Sequence, residues 1–423
     1  MSQKLKSPIH IIVLLILAGE AIFVLPFVIA RVFRPTFLAA YDLTNYELGI
    51  CFSIYGVVAL FSYILGGRLA DKYPPHSLMA VALLLTALGG FVMAIFPNYS
   101  VMKYLFGYYG FTTIYLFWGA MIKAARIWGG DSKQGRAFGF LDGGRGLVAA
   151  SFALLGLAIF SFFLAKDIAV DIDTLSLSER KSAFRNVILV SSLFVAITGI
   201  LVLFFMRQNS ELKQSEKPTI FSIANFLEVA KLKSVWWLMI IILCAYVGYK
   251  ITDDFSLYAS EVMNYNEVES AKIGTLMLFI RPIIGVSIGL LADRTKPVLI
   301  LMIGFILTTL GSILLSLGIM GPSMLVFFIV SIVIVAVGVY SARTLYFAVL
   351  GQAKVPVYLT GTAVGMISFV GYMPDIFMGP TMGHLLDNYE GELGHQYVFL
   401  MNAGFAFLGL IAAFFFRRSM QKV

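Results

Sequence analysis

Long apolar stretches alternate with short polar connections along almost the whole chain. Each stretch is about 20 residues long, which is the length that an α-helix needs to cross the hydrocarbon core of a bilayer. A helix also pairs its own backbone hydrogen-bonding groups, which lipid cannot do. The pattern predicts twelve membrane-spanning helices near residues 8–31, 47–70, 77–97, 101–125, 136–165, 186–206, 235–259, 268–292, 297–318, 323–349, 359–382 and 397–416.

The alternation is interrupted once, in the middle of the chain. Residues 207–218 are polar and loop-like, whereas residues 221–233 have apolar side chains at helical spacing and basic residues near their end. This pattern favours a cytoplasmic linker with an amphipathic helix on the membrane surface. We therefore predict an all-α membrane protein with an N-terminal six-helix bundle over 1–206, a linker over 207–234 and a C-terminal six-helix bundle over 235–423.

The composition supports this class. Of the 423 residues, 60% are hydrophobic and 13% are charged, against roughly 45–50% and about 25% in an average soluble domain. The first stretch is too long for a signal peptide, lacks a small-residue cleavage site and carries Glu20, so we expect a retained first span. Cys51 and Cys244 lie in separate apolar stretches and indicate neither a disulfide framework nor a metal site.

The charges orient the chain in the membrane. The formal charge of +8 comes from basic residues in short connections on one side, not from a basic domain, so we expect no nucleic-acid partner. By the positive-inside rule these connections are cytoplasmic, and both termini are then inside. We expect a monomeric, multi-pass protein of the bacterial inner (plasma) membrane, with the lipid bilayer and a small-molecule substrate as its partners.

A short charged motif occurs twice, at the ends of the second and eighth predicted spans. Gly67-Arg68-Leu69-Ala70-Asp71-Lys72 is followed 222 residues later by Gly289-Leu290-Leu291-Ala292-Asp293-Arg294. A repeat at about half the chain length indicates two similar halves in parallel orientation. We expect the charged cluster to latch neighbouring helix ends in one conformation and to open in the other, and assign this gating role to Gly67, Asp71, Lys72, Gly289, Asp293 and Arg294. The alternative is an ordinary charged loop.

The motif G-x-L-A-D-[RK] after spans two and eight resembles the signature loop of the major facilitator superfamily. The second copy is a close match, and the first departs from the family at residues 73–76, Tyr-Pro-Pro-His. The resemblance covers the helix count, the central linker and the duplicated motif. It implies a twelve-helix transporter that moves a small molecule by alternating access.

Three stretches also resemble the organophosphate:phosphate antiporter branch of that family, namely residues 29–67, 126–146 and 360–372. By that resemblance Arg31, Arg145 and Tyr372 fall on substrate-binding positions. The branch's arginine in span seven aligns with Tyr249, and Lys250 is one place away. Separately, Arg281-Pro282-x-x-Gly285 resembles the arginine segment of nitrate and carboxylate carriers.

Ionisable residues deep within the predicted spans are the main functional candidates, because a charge in hydrocarbon costs at least a few kcal/mol and normally faces a cavity or a partner. The basic candidates for substrate binding are Arg31, Arg145, Arg281 and Lys250. The acidic candidates for proton coupling are Glu20, Asp142, Asp253, Asp254 and Asp375. Each arginine could instead be neutralised structurally.

Several pairings are open. Asp142 and Arg145 share a helix face and could pair, and Lys250 could pair with Asp253 or Asp254. The two aspartates could equally lie at the outer interface and contact water. Arg343 is a potential partner for Glu20 or Asp375.

The tyrosines Tyr63, Tyr246 and Tyr249 are candidate hydrogen-bond donors to a solute, with Tyr372 from the resemblance above. No Ser/His/Asp set, metal-ligand cluster or phosphate-binding glycine loop occurs in the sequence. We therefore expect no enzyme activity, no cofactor, no metal and no direct use of ATP.

The leading hypothesis is a secondary active transporter of a small anionic solute, such as an organic anion or organophosphate, coupled to H⁺ or a counter-anion. The alternative is a proton-coupled carrier of neutral or zwitterionic solutes such as amino acids, peptides or drugs. A transporter-like receptor is a third hypothesis, although it would usually need a signalling extension and the predicted termini are short.

Overall fold

The computed structural model describes residues 8–129, 134–164, 176–206, 223–346, 349, 360–389 and 391–421. The predicted linker residues 207–222 lie outside this part. For four predicted gating residues, Gly67, Asp71, Asp293 and Arg294, only the helical backbone lies within this part.

The described residues are helical almost throughout and contain no strand. In chain order the helices are α1 (Ile9–Phe23), a π-helical segment (Val24–Val28), α2 (Ile29–Val32), α3 (Arg34–Tyr41), α4 (Asn45–Lys72), α5 (Pro75–Met93), α6 (Tyr99–Gly110), a second π-helical segment (Phe111–Trp118), α7 (Gly119–Gly129), α8 (Gln134–Leu164), α9 (Leu177–Phe205), α10 (Ile223–Ala230), α11 (Lys233–Ile251), α12 (Phe255–Glu261), α13 (Glu267–Arg294), α14 (Pro297–Ser316), α15 (Leu325–Leu345), α16 (Thr360–Gly371), α17 (Pro374–Asn388) and α18 (Glu392–Gln421).

The fold is that of an all-α membrane protein. Within the described residues, ten helical segments are long and apolar enough to cross a bilayer: Ile9–Val32, Asn45–Tyr63, Pro75–Met93, Phe140–Leu164, Leu177–Phe205, Lys233–Glu261, Glu267–Ala292, Pro297–Ser316, Leu325–Leu345 and Glu392–Met420. The other two predicted spans, near 101–125 and 359–382, are also helical. The first is interrupted by the second π-helical segment, and the second breaks between Gly371 and Pro374.

The sequence repeat reappears as a repeat of helices. Helices α4 and α13 each contain 28 residues. Their first residues are 222 positions apart, and so are their last residues, which is the offset of the charged motif. Helices α5 and α14 begin at Pro75 and Pro297, again 222 residues apart. A proline is well suited to the first helical turn because its missing N–H has no partner there.

Contacts within the chain define two compact units. The first comprises Met1–Leu43, Ile50–Lys213 and Asn266–Pro282, and the second comprises Thr44–Gly49, Gln214–Tyr265 and Ile283–Val423. Most of α4 belongs to the first unit, whereas α13 contributes to both.

The core of the first unit is rich in phenylalanine. Phe184 packs against Phe33, Phe37, Phe96 and Phe160 with ring centroids 5.9–6.4 Å apart. In the second unit, Tyr258 stacks on Phe328 at 5.4 Å.

The Asp387 carboxylate of α17 caps the start of α4, where it accepts hydrogen bonds from Asn45 N at 3.0 Å and Tyr46 N at 2.6 Å.

Candidate functional site

In the first unit, two arginines from different helices converge on one carboxylate. Arg145 of α8 donates from Nε to Glu20 Oε2 of α1 across 3.1 Å. Arg281 Nη1 of α13 lies 3.8 Å from Glu20 Oε1. Asp142 Oδ1 lies 3.8 Å from Arg281 Nη2, and the Asp142 side chain is 64% exposed. We call Glu20, Asp142, Arg145 and Arg281 the arginine cluster.

Glycines allow the helices of this cluster to approach each other. A Cβ atom at Gly19 would lie 3.3 Å from Arg145 Cδ, and one at Gly146 would lie 3.3 Å from Pro282 Cδ. Both glycines are next to a charged member of the cluster in the sequence. Small residues at these crossings therefore bring Arg145 and Arg281 within reach of the α1 carboxylate.

The cluster leaves part of one guanidinium group unsatisfied. The side chains of Arg281 and Glu20 are 8% and 6% exposed. Arg281 Nη2 is buried and has no hydrogen-bond partner within the described part of the chain. A buried donor without an acceptor is unfavourable, so an additional acceptor at this position would stabilise the site.

Two π-helical segments adjoin the arginine cluster. The first contains Pro26, which has no backbone N–H to donate within the helix. The second ends at Trp118 and contains Thr113, whose hydroxyl bonds to the Tyr109 carbonyl at 2.7 Å. Widened turns of this kind frequently occur at functional sites, and nothing in the apolar pattern of the sequence indicated them.

The third predicted arginine, Arg31, lies in α2 and is buried. A Cβ atom at Gly274 of α13 would lie 3.4 Å from the Arg31 carbonyl oxygen. Gly274 is seven residues before Arg281, which corresponds to about 10 Å along a helix. Arg31 therefore approaches the same helix as Arg281 but at a different level.

The second unit contains another group of charged residues. Lys250 Nζ lies 3.4 Å from Asp375 Oδ1 and 3.8 Å from Asp253 Oδ2. The Tyr246 hydroxyl lies 3.0 and 3.1 Å from the two Asp375 oxygens. We call Tyr246, Lys250, Asp253 and Asp375 the lysine cluster. It joins α11 to α17, just after the break that precedes Pro374.

Aromatic side chains surround Arg343 next to the lysine cluster. Its guanidinium carbon lies 3.6 Å from the centre of the Tyr249 ring and 5.7 Å from that of Tyr246. Tyr372 packs edge-on against Tyr246 at 5.0 Å. The structure thus brings the predicted residues Tyr249, Lys250, Tyr372 and Asp375 together around Tyr246 and Arg343.

Asp254 has a partner that the sequence did not reveal. Asp253 and Asp254 are both buried, and Asp254 Oδ2 lies 2.8 Å from His395 Nδ1 of α18. His395 Nε2 lies 3.0 Å from Glu261 Oε2. The imidazole of His395 is fully buried between these two carboxylates. A single histidine close to a predicted span boundary gave no signal of this role.

The structure describes the surroundings of two of the six predicted gating residues, Lys72 and Gly289. Lys72 is exposed, and a Cβ atom at Gly289 would meet nothing within 4 Å. Close to the first motif, Lys123 Nζ of α7 donates to the Ala70 carbonyl at 2.6 Å. This bond ties α7 to the end of α4.

Comparisons with known proteins agree with this architecture. The sequence model of a protein family, the Major Facilitator Superfamily, matches residues 11–377 of this chain. The chain is 28% identical over 379 residues to the inner membrane protein YqcE of Escherichia coli K12, covering 88% of this chain and 86% of YqcE. It is 27% identical over 409 residues to the inner membrane protein YihN of the same organism, covering 95% and 93% of the two chains.

Among solved structures, the fold is similar to that of a bacterial homologue of the human lysosomal transporter Spinster. The TM-score is 0.74 with 13% sequence identity, over 97% of this chain and 96% of that one. At this identity the likeness concerns the fold alone.

Proposed function

This chain belongs to the Major Facilitator Superfamily, and we propose that the solute it carries is a small organic anion, moved together with a proton. Family membership makes it a multi-pass membrane transporter that works by alternating access, not an enzyme. Its relatives YqcE and YihN are inner membrane proteins. We further propose that it is a monomer whose two bundles are joined at 207–234, with both termini cytoplasmic.

The observation that carries this proposal is the single carboxylate shared by two guanidinium groups. Glu20 is 3.1 Å from Arg145 and 3.8 Å from Arg281, and Arg281 Nη2, which lies 3.8 Å from Asp142 Oδ1, makes no hydrogen bond within the described residues. A carboxylate or phosphate of a solute would supply oxygen acceptors in the geometry that guanidinium groups bind best.

Glu20 provides the link to a proton. While Glu20 is ionised, it and Asp142 together balance the charges of the two guanidinium groups, and the Glu20 carboxylate competes with an incoming anion. Once Glu20 takes up a proton, the charge of the cluster becomes more positive by one and an anion can take the place of the carboxylate. Anion and proton then bind together, which is the condition for symport.

A neutral or zwitterionic solute is the second candidate, supported by the lysine cluster. There Lys250 lies between Asp253 and Asp375, and Arg343 is stacked on Tyr249. These four charges balance, and the Tyr246 hydroxyl is a hydrogen-bonding group suited to a polar uncharged solute. In this case Asp375 would carry the proton.

Thermal unfolding of the purified protein in the presence of candidate solutes distinguishes an anionic solute from a neutral or zwitterionic one. The panel consists of acetate, benzoate, inorganic phosphate and glycerol 3-phosphate, with glycine, alanylalanine and glucose as the uncharged or zwitterionic set. A ligand at 100 times its Kd stabilises the folded state by about 2.7 kcal/mol. We expect stabilisation by anions, and stabilisation by the second set alone would contradict the proposal.

Coupling is then tested in proteoliposomes with the stabilising anion supplied outside, and uptake is counted relative to protein-free liposomes under the same gradient. A proton gradient should drive its accumulation, and a protonophore should abolish it. Accumulation driven by an opposing anion gradient in the absence of a proton gradient would show counter-anion exchange instead.

A further inference from the structure

Four aromatic rings form a continuous surface beside the arginine cluster. Phe23 lies 6.4 Å from Phe27 and 6.3 Å from Trp118, and Trp118 lies 6.1 Å from Tyr63, measured between ring centroids. All four rings are half-buried. We call Phe23, Phe27, Tyr63 and Trp118 the aromatic wall. It is contributed by α1, the first π-helical segment, α4 and the second π-helical segment.

The wall and the arginine cluster share one surface. The guanidinium carbon of Arg145 lies 5.3 Å from the Phe23 ring centre and 5.8 Å from the Trp118 ring centre. Glu20 and Phe23 are three residues apart on α1 and therefore share a helix face. A molecule bound to Arg145 would consequently lie against Phe23 and Trp118.

This surface does not have the character of a lipid contact. The side chains of Arg145 and Glu20 are 11% and 6% exposed, and charged groups in a membrane protein face an interior cavity rather than hydrocarbon. At one end the wall is anchored, since Phe27 stacks on Phe52 at 5.6 Å. Trp118, between Phe23 and Tyr63, is half-buried and keeps part of its ring surface open.

Trp118 also offers an unused hydrogen-bond donor. Its Nε1 has no acceptor within the described residues, whereas Trp236 Nε1 donates to the Ala230 carbonyl at 2.8 Å and Trp128 Nε1 donates to the Pro8 carbonyl at 3.0 Å. Because Trp118 is half-buried, its N–H is available to a polar substituent on a bound molecule.

We propose that the transported anion carries a planar or otherwise apolar ring. Its acidic group binds Arg145 and Arg281, and its ring packs against Phe23 and Trp118. This inference rests on the proposed anion site and adds the class of the solute body. An aromatic contact of this kind increases affinity by about tenfold.

The test compares anions that differ only in the ring. Binding of phenyl phosphate is measured against inorganic phosphate, and benzoate against acetate, by isothermal titration of the full chain. In the wild type we expect the ring-bearing member to bind about tenfold more tightly. Trp118→Leu should remove this preference with little effect on phosphate or acetate. Trp236→Leu is the matched control, since Trp236 is 51% exposed and distant in sequence from the wall.

The outcomes separate this inference from the anion proposal. Equal affinities within each pair in the wild type would overturn the ring assignment and leave the anion site intact. A preference that persists in Trp118→Leu would also overturn it. Binding of none of the four anions would overturn both. If Trp118→Leu does not fold, the wild-type ratios decide alone, and Trp118→Phe, which keeps a ring, should retain the preference.

Discussion

The Glu20 carboxylate and the Arg145 guanidinium group form a largely buried ion pair, with 3.1 Å between Oε2 and Nε. Glu20 has Gly19 beside it, and a side chain at residue 19 would press on Arg145 and on Met121. The pair therefore depends on a glycine at the preceding position of α1. Arg281 of α13 approaches the same carboxylate, with Nη1 3.8 Å from the other oxygen.

Replacing either arginine of the cluster by lysine should weaken anion binding. Lysine keeps the charge but loses the forked geometry, and a hydrogen bond to a charged group is worth about 1.5–3 kcal/mol. We expect Arg145→Lys and Arg281→Lys each to raise the Kd for benzoate roughly 10- to 100-fold, measured by titration calorimetry. Arg418→Lys, at an exposed position near the end of α18, is the control. Unchanged affinity in both cluster variants would remove the arginines from the site.

Loss of the buried histidine should destabilise the fold. In His395→Leu the Asp254 carboxylate, which is fully buried, loses the imidazole at 2.8 Å. Breaking one partner of a buried charged pair costs about 3–5 kcal/mol. The free energy of unfolding in detergent should fall by that amount in His395→Leu and by much less in the double variant His395→Leu/Asp254→Leu. His384→Leu, at an exposed site, should have little effect. Equal losses in His384→Leu and His395→Leu would refute the assignment.

Two adjacent glycines of α8 should differ sharply in their tolerance of a side chain. A Cβ atom at Gly144 would lie 2.6 Å from Ile16 Cγ2, whereas one at Gly143 would meet nothing within 4 Å. Gly144→Ala should therefore lower the free energy of unfolding by about 1–3 kcal/mol through overpacking. Gly143→Ala should be neutral or slightly stabilising, since alanine favours a helix. Similar unfolding midpoints for the two variants would contradict the close packing of α1 on α8.

The duplicated motif predicts a role in turnover that is separate from binding. Asp71→Asn and Asp293→Asn remove a carboxylate from matched positions of α4 and α13. If each carboxylate stabilises one conformation by roughly 1.4 kcal/mol, the rate of phenyl phosphate exchange in proteoliposomes should fall about tenfold. The Kd for benzoate and the thermal stability should be unchanged. Wild-type exchange rates in both variants would exclude the gating role.

Features with a local period were predictable from the sequence. The apolar stretches predicted an all-helical membrane protein, and the charged motif predicted the 222-residue offset at which α4 and α13 recur. The break before Pro374 also has a local cause, because proline interrupts a helix. The predicted amphipathic segment at 221–233 contains α10.

Pairings between distant residues were not predictable. Asp142 was the natural partner for Arg145 because it is three residues away, yet the 3.1 Å contact of Arg145 is with Glu20, which is 125 residues away. His395 and Asp254 are 141 residues apart. Such contacts are set by helix packing, which a single sequence does not specify. The π-helical turns likewise depend on tertiary contacts that the apolar period does not record.

The most direct test of the account is the number of protons that accompany anion binding. Benzoate binding is measured by titration calorimetry near neutral pH in buffers of different ionisation enthalpy. The wild type should take up about one proton per benzoate, because Glu20 must become neutral as the anion displaces it. Glu20→Gln, which is neutral from the start, should bind benzoate with no proton uptake, whereas Glu269→Gln, at an exposed position of α13, should behave as the wild type does. Binding of benzoate by the wild type without proton uptake, or unchanged uptake in Glu20→Gln, would contradict the account.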